Sequence, residues 1–163
     1  MQALALASGH GLEPTPKVKI CCIAELAEAR MAIGAGADAL GLVSAMPSGP
    51  GVISEEMIAT VARAVPPPVA TFLLTSLQQV DDIVAQHRRC RTSTIQLVDS
   101  LTRGTHAQLR DALPGVSLVQ VLHVTGPESL DEALGVAGEV DALLLDSGNQ
   151  RLPVRELGGT SAT

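Results

Sequence analysis

The chain has 163 residues at 16.8 kDa, 46% of them hydrophobic and 17% charged, with a mean hydropathy of +0.30. That length supports one domain with a real core and is short for two. A formal charge of -6, a single Phe and no Trp or Tyr argue against a nucleic-acid binder, which needs cations for phosphates and aromatic platforms for bases. No apolar run approaches the roughly 18 residues of a membrane span, and the opening segment lacks the basic flank of a signal peptide. Cys21, Cys22 and Cys90 make no disulfide framework and read as thiols of a reducing compartment, so the expected location is the cytoplasm.

Residues 1–16 read as a loose extension, with Pro14 and Pro16 blocking helix, and residues 17–163 as one domain. Six short apolar runs then recur, at 18–22, 39–44, 69–75, 94–98, 117–124 and 142–146. Near-continuous apolar runs of this length are the pattern of strands covered on both faces of a parallel sheet.

Helical punctuation fills the intervals. Ser54 precedes Glu55 and Glu56, which suit the positive end of a helix. Ser76 with Gln79, Thr105 with Gln108, and Ser129 with Glu132 fit the capping-box spacing. Gly34 and Gly36 close the first helix, and Pro66-Pro67-Pro68 ends the second. The resulting βα alternation fits either an open doubly wound sheet or part of an eight-fold barrel. A dinucleotide site would need GxGxxG after the first strand, where Cys21-Cys22-Ile23-Ala24 has no glycine.

Particular residues favour the barrel. Val18-Lys19-Ile20-Cys21, then Ala35-Gly36-Ala37-Asp38-Ala39-Leu40-Gly41-Leu42-Val43, Ile53-Ser54, Ile95-Gln96-Leu97, Leu143-Leu144-Leu145-Asp146-Ser147 and Gly158-Gly159-Thr160 follow one another in order. This series resembles the phosphoribosylanthranilate isomerase family of tryptophan biosynthesis, over roughly residues 17–160. The resemblance implies a small (β/α)8 TIM-type barrel, incomplete here with about six βα units. It also implies an Amadori rearrangement of N-(5-phosphoribosyl)anthranilate, an anionic phosphosugar, to an aminoketose, with no cofactor or metal. Carried over by motif, Cys21 is the general base and Asp146 the general acid, while Gln96 belongs to the substrate-binding set.

The chemistry suits these residue types. Ring opening needs a proton delivered to the furanose oxygen, a task for a carboxylic acid. The following step removes a proton from the sugar carbon beside the imine, which a thiolate can do in an electropositive pocket. Lys19, alternating with Ile20, is expected to point away from Cys21.

Plainer readings stand beside these. A cysteine in a strand is commonly a packing residue, and Asp146 ahead of Ser147-Gly148-Asn149 could cap a turn. Cys22, where the family has glycine, reads as packing; Cys90 reads as an ordinary thiol at a helix end. Asp38 reads as a loop or helix-boundary residue. His87-Arg88-Arg89 reads as a solvated helix end, and His123 as a satisfied core histidine rather than a rim residue. No Cys-x-x-Cys pair exists, and His87, His106 and His123 are scattered, which disfavours a metal site.

Three departures qualify the resemblance. Gly51 stands at about the place of a family arginine that holds the anthranilate carboxylate, a contact typically worth ~1.5–3 kcal/mol. The usual Gln-Leu-His-Gly of strand four is Gln96-Leu97-Val98-Asp99. The chain stops at Thr163, while a full barrel would need two more βα units and their phosphate-binding amides. The expectation is therefore an isomerase-like partial barrel, inactive alone, whose unpaired outer strands invite self-association. The alternatives are a non-catalytic barrel fragment acting by association, or a related phosphosugar-binding protein.

Overall fold

The computed structural model describes residues 16–47 and 49–146. Most of the predicted extension and the Gly158-Gly159-Thr160 segment lie outside the described residues. Six strands run in chain order: β1 Lys19–Ile20, β2 Ala39–Val43, β3 Ala70–Thr75, β4 Thr94–Leu97, β5 Ser117–His123 and β6 Ala142–Asp146. Between them lie α1 Leu26–Gly34, α2 Glu55–Ala64, α3 Val80–Cys90, α4 His106–Ala112 and α5 Ser129–Val136. All neighbouring strands pair in parallel, in the order β1-β2-β3-β4-β5-β6. This sequential order is that of a barrel wall; a doubly wound sheet would reverse direction part-way across. The described fold is an incomplete, curled barrel of TIM type.

Alternation along each strand divides the sheet into two faces. Leu40, Leu42, Leu73, Ile95, Leu97 and Leu118, all fully buried, face the helices. They pack in two clusters, one with Ala29, Ile58 and Val61 of α1 and α2, the other with Ile83 and Leu109 of α3 and α4. Each such side chain contributes about 1.5–3 kcal/mol of burial, so this layer anchors the strands. The register puts Lys19, Gly41, Phe72, Gln96, Val121, His123, Leu144 and Asp146 on the opposite, inner face.

Helix ends follow local chemistry in part. The Ser54 hydroxyl accepts from the Met57 amide, and Thr105 with Gln108 forms a complete capping box. At the end of α1, Gly36 at φ +94° permits a Schellman turn, with its amide on Ile33 and that of Ala37 on Ala32. Two expected caps are corrected. Gln79 itself precedes α3, because residues 78–80 are engaged with Thr102 and Arg103 across a β-bridge. Ser129 lies inside α5, where its hydroxyl accepts from the Thr125 amide.

The amino ends of the strands carry a repeated stitch. Asp38, Ser93 and Asp141, each just before an even strand, accept with their side chains from the amides of Val18, Thr71 and Leu118. The backbone carbonyls of Asp38 and Ser93 then accept from the first residues of the next odd strands, Ala70 and Ser117. Asp38 and Ser93 thus fix register on both sides of their strands, and Asp141 on the side of β5. The reading of Asp38 as a boundary residue agrees with this role.

The two outer strands expose apolar side chains. Val18, Ile20 and Met31 flank a cleft of about 400 Å³ beside β1 and α1, and Leu130, Leu134 and Leu145 lie bare on α5 and β6. Among the described residues, no helix is long and apolar enough to cross a membrane.

Candidate active site

Parallel strands gather their carboxyl ends on one rim, the place where barrel scaffolds assemble polar groups. Strand β1 is shorter than the sequence pattern predicts, so Cys21 and Cys22 follow it as loop residues. Both are exposed. A Cβ on Gly41 would stand 2.8 Å from Cys21 Sγ, so glycine in β2 clears the space that the thiol fills on the inner face.

Cys22 adopts φ +61°, a left-handed conformation that favours the glycine expected there. Its Sγ lies 3.7 Å from the Pro50 carbonyl, and its Cβ lies 2.5 Å from where a Cβ of Gly51 would be. Burial, then the neighbouring Cys21, pushes the Cys22 thiol up. Gly51, at φ +78°, belongs to the loop that leaves β2 and returns through the Val43–Val52 bridge. It thus sits on the rim beside the β1 loop, with Cys22 in the space that its own side chain would need.

Asp146 closes β6 on the inner face, directly opposite His123 of β5. His123 Nδ1 lies 3.7 Å from Asp146 Oδ2, and Nε2 lies 3.2 Å from the Val98 carbonyl. Both side chains are mostly buried, at 18% and 28% exposure. The expectation of a satisfied core histidine is corrected: one ring nitrogen is bonded, while the buried Nδ1 has no hydrogen-bond partner. Period-two counting from Val119 and Val121 would have placed His123 beside Asp146.

One layer below the rim, Lys19 donates to Gln96 Oε1 and lies 4.6 Å from the Phe72 ring centroid. Gln96 is buried at 5% exposure, with its oxygen engaged by this ammonium. The expected direction of Lys19 is also corrected. Residues i and i+2 share a face of a strand, so Lys19 lies on the inner face toward which Cys21 turns.

Cys90, the last residue of α3, is fully buried, and burial pushes its thiol up to about 12. Such a thiol is a core group without nucleophilic use. His87 is likewise buried, its Nε2 2.8 Å from the Thr92 carbonyl, so only the arginines of that run are solvated. Among the described residues, no group of three or more His, Cys, Asp or Glu side chains could hold a metal ion.

The rim therefore offers an exposed thiol just after β1 and a carboxylate–imidazole pair on β5 and β6, over a half-buried lysine paired with a buried glutamine. Titratable groups gathered at one rim of a sequentially ordered parallel βα wall define a scaffold of the barrel class. No family model matches the chain. The N-(5'-phosphoribosyl)anthranilate isomerase 2 of Methanosarcina mazei is 27% identical over 132 residues, covering 80% of this chain and 58% of the relative. The corresponding isomerase of Geobacter sp. is 35% identical over 131 residues, covering 80% and 60%. A solved phosphoribosyl anthranilate isomerase in complex with reduced 1-(o-carboxyphenylamino)-1-deoxyribulose 5-phosphate superposes with a TM-score of 0.66. It shares 23% identity, over 80% of this chain and 64% of that one. The chain is similar to phosphoribosylanthranilate isomerases over about four fifths of its length, and spans less than two thirds of the length of these relatives.

Proposed function

We propose that this chain supplies the acid–base half of an Amadori isomerase acting on a phosphoribosyl-amine substrate. The observation that carries the reading is the position of the two proton-moving groups, with Cys21 after β1 and Asp146 at the end of β6. Asp146 delivers a proton to the furanose oxygen as the ring opens to the imine. Cys21, as thiolate, removes the proton from the adjacent sugar carbon, giving the enamine that becomes the aminoketose. Gln96 acts beneath the substrate with Lys19, supporting the floor of the site. The family's ligand, a carboxyphenylamino-deoxyribulose phosphate in the solved relative, supports a phosphosugar as the substrate class.

The 163-residue polypeptide by itself is proposed to be inactive. Holding remote groups of a substrate can supply ~7–11 kcal/mol of barrier lowering. Gly51 itself offers the anthranilate carboxylate no cation, and a net charge of -6 opposes an anionic ligand. The exposed outer strands suit association, with another copy or with the βα units that the longer relatives carry. The three unpaired thiols suit a reducing compartment, and the proposed location is the cytoplasm. Residues 1–16 are proposed as an extension to a domain that starts at Lys17.

A second reading has one specific observation in its favour. Cys22 fills the space beside Gly51, which fits a phosphosugar without the carboxylate of anthranilate. The test follows loss of anthranilate-type fluorescence with the polypeptide alone, then with a separately expressed fragment carrying the last two βα units of a relative. Turnover only with the fragment, abolished by Cys21→Ala, supports the isomerase reading. Turnover by the polypeptide alone overturns the claim of inactivity. Absence of turnover in both cases, with retained binding of a simpler ribose phosphate, supports the second reading.

A further inference from the structure

We infer that His123 is a positioning residue for Asp146, and that the two side chains hold one proton between them across the ends of β5 and β6. The inference rests on the proposed role of Asp146 as the acid and adds the partner that keeps its proton in place.

The argument starts from the other side of the ring. A backbone carbonyl can only accept, so the 3.2 Å contact between Val98 and Nε2 requires a proton on Nε2. Nδ1 is then either a lone pair or a second N–H, and it is the nitrogen directed at Asp146. If Nδ1 is a lone pair, its complement is a protonated carboxyl; if it is N–H, its complement is a carboxylate. Each of these complementary pairings places a single proton between the two groups, whereas a lone pair facing a carboxylate would leave two acceptors opposed.

Burial makes the arrangement consequential. Nδ1 is inaccessible to solvent and lacks a hydrogen-bond partner, and an unsatisfied buried nitrogen costs about 1–3 kcal/mol. The separation of 3.7 Å is within ion-pair range but too long for a settled hydrogen bond. The strand register holds the two residues opposite each other regardless of side-chain rotation, and the Asp146 carbonyl accepts from the Val124 amide at 2.7 Å. The pair is therefore built into the sheet at the point where the proposed ring-opening step needs an acid. The histidine stabilises whichever protonation state the carboxyl group leaves behind, as a fixed dipole or as a cation.

The test uses nuclear magnetic resonance on the full chain at one neutral pH, reading the ring nitrogens of His123 and the carboxyl carbon of Asp146. Asp146→Asn is examined at His123 Nδ1, and His123→Gln at the Asp146 carboxyl carbon. The proton resides on one partner or is divided between them. At least one of these signals must therefore move toward its unprotonated position, while wild-type Nε2 remains protonated. If both signals keep their wild-type positions in folded variants, or if wild-type Nε2 proves unprotonated, the inference is overturned. Where only one variant folds, the Nε2 state and the wild-type Asp146 carboxyl signal decide: a bare Nδ1 facing an ionised carboxylate refutes the shared proton. No readout depends on turnover, so a coupled pair in a chain that fails to isomerise even with the added βα fragment would sink the catalytic reading alone.

Discussion

The Cβ of Cys22 stands 2.5 Å from the position that a side chain on Gly51 would take, so these two residues on different loops exclude one another's volume. Placing at Gly51 the arginine that the resemblance implies, by Gly51→Arg alone, therefore forces the β1 loop outward. Overpacking of this kind typically costs about 1–3 kcal/mol, with further strain from the left-handed backbone at Gly51. Adding Cys22→Gly removes the two side-chain contacts, leaving only the Cα of residue 22 at 2.9 Å, and frees the strained φ of +61°. The expected double-mutant cycle in urea unfolding is strongly non-additive, with the double variant more stable than Gly51→Arg. Additive effects would show that the loops do not compete.

Acid should weaken the amino-terminal rim first. The Val18 amide and then Lys17 hold Asp38 below the usual carboxylate range; the Leu118 amide and then Arg110 do the same for Asp141, as Arg89 does for Glu55. A carboxylate depressed in the folded state contributes stability above its unfolded value, near pH 4, and loses it as pH falls through the folded value. Urea midpoints should be flat from pH 7 to about 5 and fall below about 4. In Asp141→Asn this acid-linked loss should be smaller than in the parent chain.

The three thiols should separate by accessibility. Cys21 and Cys22 are exposed, while Cys90 is fully buried with its thiol raised to about 12. An aromatic disulfide reagent should titrate two thiols in the folded chain and the third only with denaturant. Prompt reaction of Cys90 in the native state would contradict its burial in the core at the end of α3.

The pair beneath the rim should respond asymmetrically to substitution. Lys19→Met removes a hydrogen bond and a ring contact, at a cost of about 1–2 kcal/mol. Gln96→Leu leaves the Lys19 ammonium in place without its amide partner, and should cost more. Equal losses, by denaturant unfolding, would mean that solvent reaches Lys19 freely.

Much of the fold is legible in the sequence because its signals are local. The apolar runs mark all six strands, and Ser54 and Thr105 cap their helices with their own side chains. Ser76 and Ser129 carry the same spacing but do not cap, because the bridge to Arg103 and the turn at Thr125 engage those segments first. Within the candidate site, Cys21 and Asp146 stand out through their motif, whereas His123 carries none. Its significance comes from register with β6, a relationship between residues 23 positions apart that no local pattern reports.

The stitching residues also reach beyond β6. At Asp38 and Ser93 the side chain ties back to the preceding strand, and the carbonyl of the same residue receives the first amide of the strand that follows. Asp141 makes the same backward tie to Leu118, leaving its carbonyl as the equivalent mark for a newcomer. Any parallel strand that docks against β6 would thus meet a ruler with its zero already set. Its first amide would align at Asp141, and its inward residues would fall level with Leu144 and Asp146.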